Sequence, residues 1–284
     1  MYFNEQDDPE LTPEEQPEGS TFYLMQAALH AKAQLLPIFQ VVYSYDAAQN
    51  AVEAFGLIDE LPGGLYLKAG RFILPYGLRF DDHTIFTRAP LGFHNISQDS
   101  GVEIGVRPGP AFLVASLTNG NMGEQAMDRD KSHYAFTTQG GVRFWKIGVG
   151  GSYFLNNREG FDRQVFGPWA TFGWGPVALL AEFDVFKQEV PHETRPGELD
   201  DRIGSGSMAQ ADVKVIDGLY VQGRYSHMDT DWEVDETFMD QWAGGLLVYP
   251  IPYLQLQAQY RWNREPDLVE YDNNQVMIQG HFFF

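Results

Sequence analysis

The chain contains no cysteine, which excludes a disulfide framework and any thiolate metal or redox site. It has no apolar run near the ~18 residues that a membrane helix needs, and its mean hydropathy is −0.30, so no helical span is expected. Basic residues are scarce: 19 Lys and Arg against 39 Asp and Glu leave a formal net charge of −20. Neutralising phosphates requires a basic surface, so nucleic acid is not an expected partner. An export signal is also missing, because Met1 is followed by YFNEQDDPELTPEEQPEGS, with neither a basic start nor an apolar core. Aromatics, at 14%, and glycine, at 29 residues, are plentiful. That combination suits tightly paired strands with aromatic ends better than an ordinary globular core.

Residues 4–20 are acidic and proline-bearing with no period, and are expected to form an exposed loop or tail. From Thr21 onward, segments of about ten residues with period-two alternation recur. They span 21–33, 38–46, 51–59, 64–73, 100–107, 111–119, 133–144, 147–156, 163–173, 176–187, 206–215, 218–228, 238–249, 252–263 and 273–284. Short turns such as Pro62-Gly63-Gly64, Pro108-Gly109-Pro110 and Trp145-Lys146 alternate with longer polar loops. This rhythm predicts a single all-β domain over 21–284, an antiparallel transmembrane β-barrel. Such barrels carry an even number of strands, and fifteen segments are visible. Sixteen strands is therefore the expected count, with Met1-Tyr2-Phe3 as the stub of a truncated first strand whose beginning and signal peptide lie upstream. Fourteen is the alternative. A soluble β-sandwich competes less well, because sandwich strands are shorter and Tyr and Trp recur here at strand ends.

Alternation also assigns faces. Leu254, Leu256, Ala258, Tyr260 and Trp262 oppose Gln255, Gln257, Gln259 and Arg261, and Leu179, Ala181 and Phe183 similarly oppose Glu182 and Asp184. A Lys or Arg on a lipid-facing position at mid-depth costs ~2–4 kcal/mol, so the polar faces are expected to look inward. The lumen lining read this way comprises His30, Lys32, Lys68, Glu103, Arg107, Arg143, Glu182, Asp184, Asp212, Lys214, Arg224, Gln255, Gln257, Gln259 and Arg261. A mixed-charge lining in a barrel of this size leaves a water-filled channel. Passive diffusion then needs no catalytic step, no cofactor and no metal.

The final stretch, NNQVMIQGHFFF, places Val276, Ile278, Gly280, Phe282 and Phe284 on one face and Gln275, Met277, Gln279 and His281 on the other. A last strand ending on an outward aromatic resembles the C-terminal signature of bacterial outer-membrane β-barrels. That resemblance implies an outer-membrane location and marks Phe284 as the signal read by the barrel assembly machinery. It also implies contact with outer-membrane lipid and lipopolysaccharide.

One connection breaks the rhythm. GRFILPYGLRFDDHTIFTRAPLGFHNISQDSG, residues 70–101, is too long for a bare connector. Its GRFILPYGLR resembles the phosphate-selective porin-like (porin O/P-like) family, in which a strand of this kind leads into a loop folded into the barrel. The resemblance implies an inward constriction loop over 74–100, with Arg71, Arg79 and Arg88 attracting anions and Asp81, Asp82 and His83 sharing the constriction. It further implies a porin for small hydrophilic solutes or ions, and a homotrimer. Strict alternation from Leu65 places Arg71 on the lipid side unless a bulge at Gly70 or a position above the membrane intervenes. The alternative to selectivity is that these arginines and aspartates pair with one another and pin the loop.

Other readings are narrower. Asp81 and His83 would share a face in an extended chain, but no further ligand follows at a metal-site spacing. Ser97, Ser100 and His94 lie near one another without a nucleophile-elbow context. The acidic runs 229–236, 265–272 and 198–201 fit solvated outer loops, or divalent bridging to lipopolysaccharide. A reading of a different class makes the barrel a scaffold that holds a partner protein in an envelope-spanning complex.

Overall fold

The computed structural model describes residues 24–80, 85, 91–94, 97–121, 134–157, 162–191, 199–234, 237–264 and 274–283. Fifteen strands form one antiparallel sheet in sequence order. They are β1 (Ala28–Leu36), β2 (Phe39–Asp46), β3 (Ala51–Leu61), β4 (Leu65–Ile73), β5 (Gln98–Val106), β6 (Ala111–Thr118), β7 (Tyr134–Phe144) and β8 (Ile147–Asn157). Then follow β9 (Arg163–Trp174), β10 (Val177–Pro191), β11 (Leu199–Ile216), β12 (Leu219–Asp229), β13 (Phe238–Ile251), β14 (Leu254–Arg264) and β15 (Gln275–Phe282). Each strand pairs with its sequence neighbours, as hairpin turns require. Among the described residues, β1 and β15 each pair on one side only. The proposed stub Met1-Tyr2-Phe3, the acidic segment 4–20 and Phe284 lie outside the described residues.

The number of strands matches the sequence rhythm, but several boundaries differ. The first strand runs Ala28–Leu36 rather than 21–33, because Asp46 Oδ1 accepts the amides of Ala27 and Ala48 and ends the pairing at one end. At the other end, Gln34 Nε2 donates to the carbonyl of Leu36 at 2.6 Å and closes the turn at Pro37. β5 begins at Gln98, so the long connection after β4 spans 74–97 rather than 74–100. β11 begins at Leu199 rather than at 206, paired with β10 out to Pro191. That extension mixes Leu199 and Ile203 with Asp201 and Ser205 on one face and carries Asp200 and Arg202 on the other, so it lacks the apolar alternation that signals a strand.

Register fixes two faces, since directly paired residues point the same way. Leu57 opposes Lys68, Lys68 opposes Glu103, Glu103 opposes Ser116 and Ser116 opposes Thr137. This face is the buried one and carries most of the polar side chains. The opposite face exposes Leu179, Phe183, Phe166, Trp242, Tyr260, Trp262 and Ile278. A sheet that is polar inside and apolar outside reverses the pattern of a water-soluble sandwich, and hydrocarbon must cover it. No helix among the described residues is long and apolar enough to cross a membrane. On the outer face, charges gather towards the loop ends of strands, where Lys187 meets Asp201 at 2.7 Å and His227 meets Asp240 at 2.9 Å. Those pairs mark one rim of the apolar band.

Ala181, on the outer face of β10, sits between Ala170 and Ala209 in mid-strand. Ala181→Lys is expected to lower unfolding stability in phosphatidylcholine vesicles by ~2–4 kcal/mol. Gln257→Lys, on the inner face, is expected to cost less than about 1 kcal/mol. Denaturant titration followed by tryptophan fluorescence measures both.

Candidate functional site

After Ile73 the chain leaves the wall instead of turning back. An irregular segment inside a barrel must still satisfy its backbone groups, and here the far wall does so. Tyr76 Oη donates to Asp184 Oδ1 of β10 at 2.7 Å, and the Leu78 amide donates to Glu182 Oε2 of the same strand at 3.0 Å. The Gly77 amide donates to Ser152 Oγ of β8 at 2.9 Å, while Gln139 Nε2 of β7 donates to the Gly77 carbonyl at 2.8 Å. Residues 76–78 thus bridge from the end of β4 to β7, β8 and β10.

Burial reinforces the bridge. Leu74, Tyr76, Leu91 and Phe93 form a buried apolar cluster with Ala135, Phe154, Val165, Phe186 and Met228 of the inner wall. Tyr76 stacks on Phe93 with centroids 3.9 Å apart, and Phe93 meets Phe154 edge-on at 5.0 Å. Rings so arranged contribute about 0.5–1.5 kcal/mol per pair beyond the area they bury. The inner face thus carries an apolar patch beside the polar groups on which the segment lands.

Gly167 makes the landing site. It opposes Asp184 across the β9–β10 pair, and a Cβ there would collide with Asp184 Oδ1 and come within 2.7 Å of Tyr76 Oη. Only a hydrogen at this position leaves room for the carboxylate and the phenol together.

Towards the turn side, Glu103 Oε1 accepts from Tyr66 Oη at 2.8 Å and pairs with Lys68 Nζ at 2.8 Å. Lys68 also sits 4.5 Å from the centroid of Phe72, and the Arg107 guanidinium lies 4.6 Å from that of Tyr66. Beside this cluster is a recess of about 480 Å³, lined by Leu78, Arg79, Arg107, Gln139, Arg143 and Trp169, among others. Arg79 comes from the bridging segment, Arg107 from the β5–β6 turn and Arg143 from β7. None of the three forms an ion pair with a described residue.

The inward carboxylates, by contrast, are engaged. Asp212 accepts from Gln210 at 3.0 Å and Gln222 at 2.8 Å, Asp99 accepts the Gly120 amide at 2.6 Å, and Glu53 accepts the Ile73 amide at 3.0 Å. Arg261 Nε donates to Gln259 Oε1 at 2.7 Å, completing a wall rich in amides on β11 to β14. In a chain of net charge −20, the arginines of the recess are its uncompensated charges among the described residues of the inner face next to the bridge.

The inner face carries His30, Lys32, Lys68, Glu103, Arg107 and Arg143, together with Glu182, Asp184, Asp212, Lys214, Arg224, Gln255, Gln257, Gln259 and Arg261. They do not form one site. Arg79, Arg107 and Arg143 meet at the recess, Glu182 and Asp184 hold the bridge, and Lys32 lies on the far strand β1. Arg71 departs from its expected place in the constriction. It opposes Ala54 and Ser100 on the outer face, with Nε donating to the Val52 carbonyl at 3.2 Å. No register shift occurs at Gly70, so Arg71 belongs to the charged rim near the loop end of β4. Asp81, Asp82, His83 and Arg88 lie outside the described residues.

Among the described residues, no group of His, Asp and Glu is placed to hold a metal. Ser100 faces outward on β5, away from the recess beside His94 and Ser97, so the three do not converge. In the 229–237 loop, Asp229 accepts from Thr237 Oγ1 at 2.9 Å and Asp231 accepts the Glu233 amide at 3.0 Å, so these acids build the turn. Sequence reasoning missed Tyr76, Gly167 and the apolar landing site. The available signal was consecutive apolar residues inside alternating strands, as in Tyr153-Phe154-Leu155 and Val185-Phe186.

Tyr76→Phe removes the donor to a fully buried carboxylate while keeping the ring. Losing such a bond costs about 1–3 kcal/mol. Hydrogen–deuterium exchange at the Gly77 and Leu78 amides is expected to speed up at least about fivefold, with amides of β14 unaffected.

The sequence matches no known protein-family model and no curated protein. Its structure is similar to the outer membrane channel DcaP of Acinetobacter baumannii, at TM-score 0.63 and 11% identity, covering 90% of this chain and 84% of that one. It is similar to the anion-selective porin from Comamonas acidovorans at TM-score 0.64 and 11% identity, covering 90% and 83%. Salmonella typhi OmpF, solved in complex with daunomycin, aligns at TM-score 0.63 and 13% identity, covering 91% and 89%. Identities this low speak to architecture alone: the chain has the β-barrel fold of the outer-membrane porins.

Proposed function

We propose that this chain is a diffusion channel of a bacterial outer membrane, passing small hydrophilic solutes and ions with anions favoured over cations. The observation that carries the reading is the recess below the bridging segment. Arg79, Arg107 and Arg143 line it without ion-pair partners among the described residues, whereas the neighbouring inward acids are engaged. A fixed positive charge about 8 Å from an ion in water contributes ~0.5 kcal/mol, and three of them bias which ion enters. The outward apolar face supports a membrane location, and the porin fold makes the outer membrane its natural setting. Diffusion through such a lumen needs no catalytic residue, so the reading is of a channel and not of an enzyme.

The GRFILPYGLR resemblance to phosphate-selective porins agrees with anion preference, and phosphate is one anion the recess would accept. The scaffold reading has less support. The segment over residues 76–78 already occupies space on the inner wall that a protein plugging the lumen would need.

In planar bilayers the protein is expected to give steady openings, with a reversal potential under a KCl gradient on the anion-selective side. Arg79→Ala and Arg143→Ala are each expected to lower the chloride-to-potassium permeability ratio roughly fivefold, because ~0.5 kcal/mol per charge acts with opposite sign on the two ions. No openings would refute the channel; cation selectivity that both variants leave unchanged would remove the arginines from its control.

A further inference from the structure

We infer that the arginine recess is a binding subsite for small aromatic carboxylates, solutes that pair one negative charge with a planar ring. The inference deepens the channel reading and rests on it for its physiological meaning. On the wall of the recess, Phe112 of β6 and Trp169 of β9 lie nearly parallel, 16° apart with centroids 6.1 Å from each other. Both sit on the inner face, where a diffusion channel for hydrophilic solutes has no need of a broad apolar surface.

The wall is built to hold the indole flat. Trp169 lies over Gly141 and Gly150, which face each other across the β7–β8 pair. A Cβ on Gly141 would come 2.8 Å from the ring, and one on Gly150 would strike the ring as well. Two glycines under one indole press its inner side to the backbone and leave its other side to the recess. Arg107 and Arg143 line the same recess and supply planar donors that match a carboxylate. Thr171 lies next to Trp169 on the same face and adds a hydroxyl. A flat ring on the indole with its carboxylate at the guanidinium groups uses both features at once.

Saturation-transfer NMR and calorimetry on the folded protein in detergent test this with benzoate against cyclohexanecarboxylate, which has the same charge and similar size but no planar ring. Benzoate is expected to bind roughly three- to tenfold more tightly, the range that ring stacking supplies. Trp169→Leu is expected to erase that difference. If it folds poorly, Phe112→Leu is expected to reduce the difference. Arg143→Ala is expected to weaken both ligands alike. Equal affinity of the two ligands for the wild type, or a benzoate preference that survives Trp169→Leu and Phe112→Leu, would overturn the subsite. Steady anion-selective openings alongside equal affinities would leave the channel standing without the subsite. A benzoate preference lost in Trp169→Leu, with no openings, would keep the subsite and remove the channel.

Discussion

The bond between Tyr76 and Asp184 is the constraint on which the rest of the lumen depends. A carboxylate with no exposed surface is costly to bury unless its charge is met by donors, and the phenol of the bridging segment is one of them. The same contact requires Gly167 to be bare, brings the Leu78 amide to Glu182 and sets Phe93 against Phe154. Arg79, one residue beyond Leu78, is thereby carried to the recess where Arg107 and Arg143 already face.

The electrostatics follow from how acids are used. This is an acidic protein, yet its inward carboxylates serve as structural acceptors for Lys68, for amide side chains and for backbone amides of the bridge and loops. Among the described residues beside the bridge, Arg79, Arg107 and Arg143 form no ion pair. Net charge and lumen lining are separate quantities here: much of the acid lies in sequence runs assigned to loops, while Arg79, Arg107 and Arg143 line the recess. Comparing Lys68 with Arg143 makes the distinction concrete, since the first is tied to Glu103 while the second is exposed on the inner face with no ion-pair partner among the described residues.

Much of the fold was legible in the sequence because a barrel wall imposes a period of two on every strand it contains. Gln255, Gln257, Gln259 and Arg261 could be assigned to the inner face for that reason, and the register agrees. Legibility failed where the environment ceases to be two-faced. β11 extends to Leu199 through residues that mix polar and apolar side chains on one face, and β1 ends on a turn set by Gln34 and Pro37 rather than by hydrophobicity. Arg71 was ambiguous because alternation gives its face but not its height, and the rim tolerates a charge that mid-membrane would not. The bridge was only partly visible: its length marked it, but the partners Asp184, Ser152 and Gln139 lie tens of residues away, and nothing local in the chain names them.

Residues 76–78 cross from β4 to the β7–β10 wall and bring Arg79 to the recess. A chain with no native cysteine allows a direct test, since an engineered pair of thiols is the only pair present. Leu78 and Thr171 line the same recess from the bridge and from β9. In the double variant Leu78→Cys, Thr171→Cys, a short bifunctional thiol reagent is expected to link the two positions in the folded protein in vesicles, giving one crosslinked peptide by mass spectrometry. Absence of that crosslink, with each single cysteine still reactive, would contradict the account.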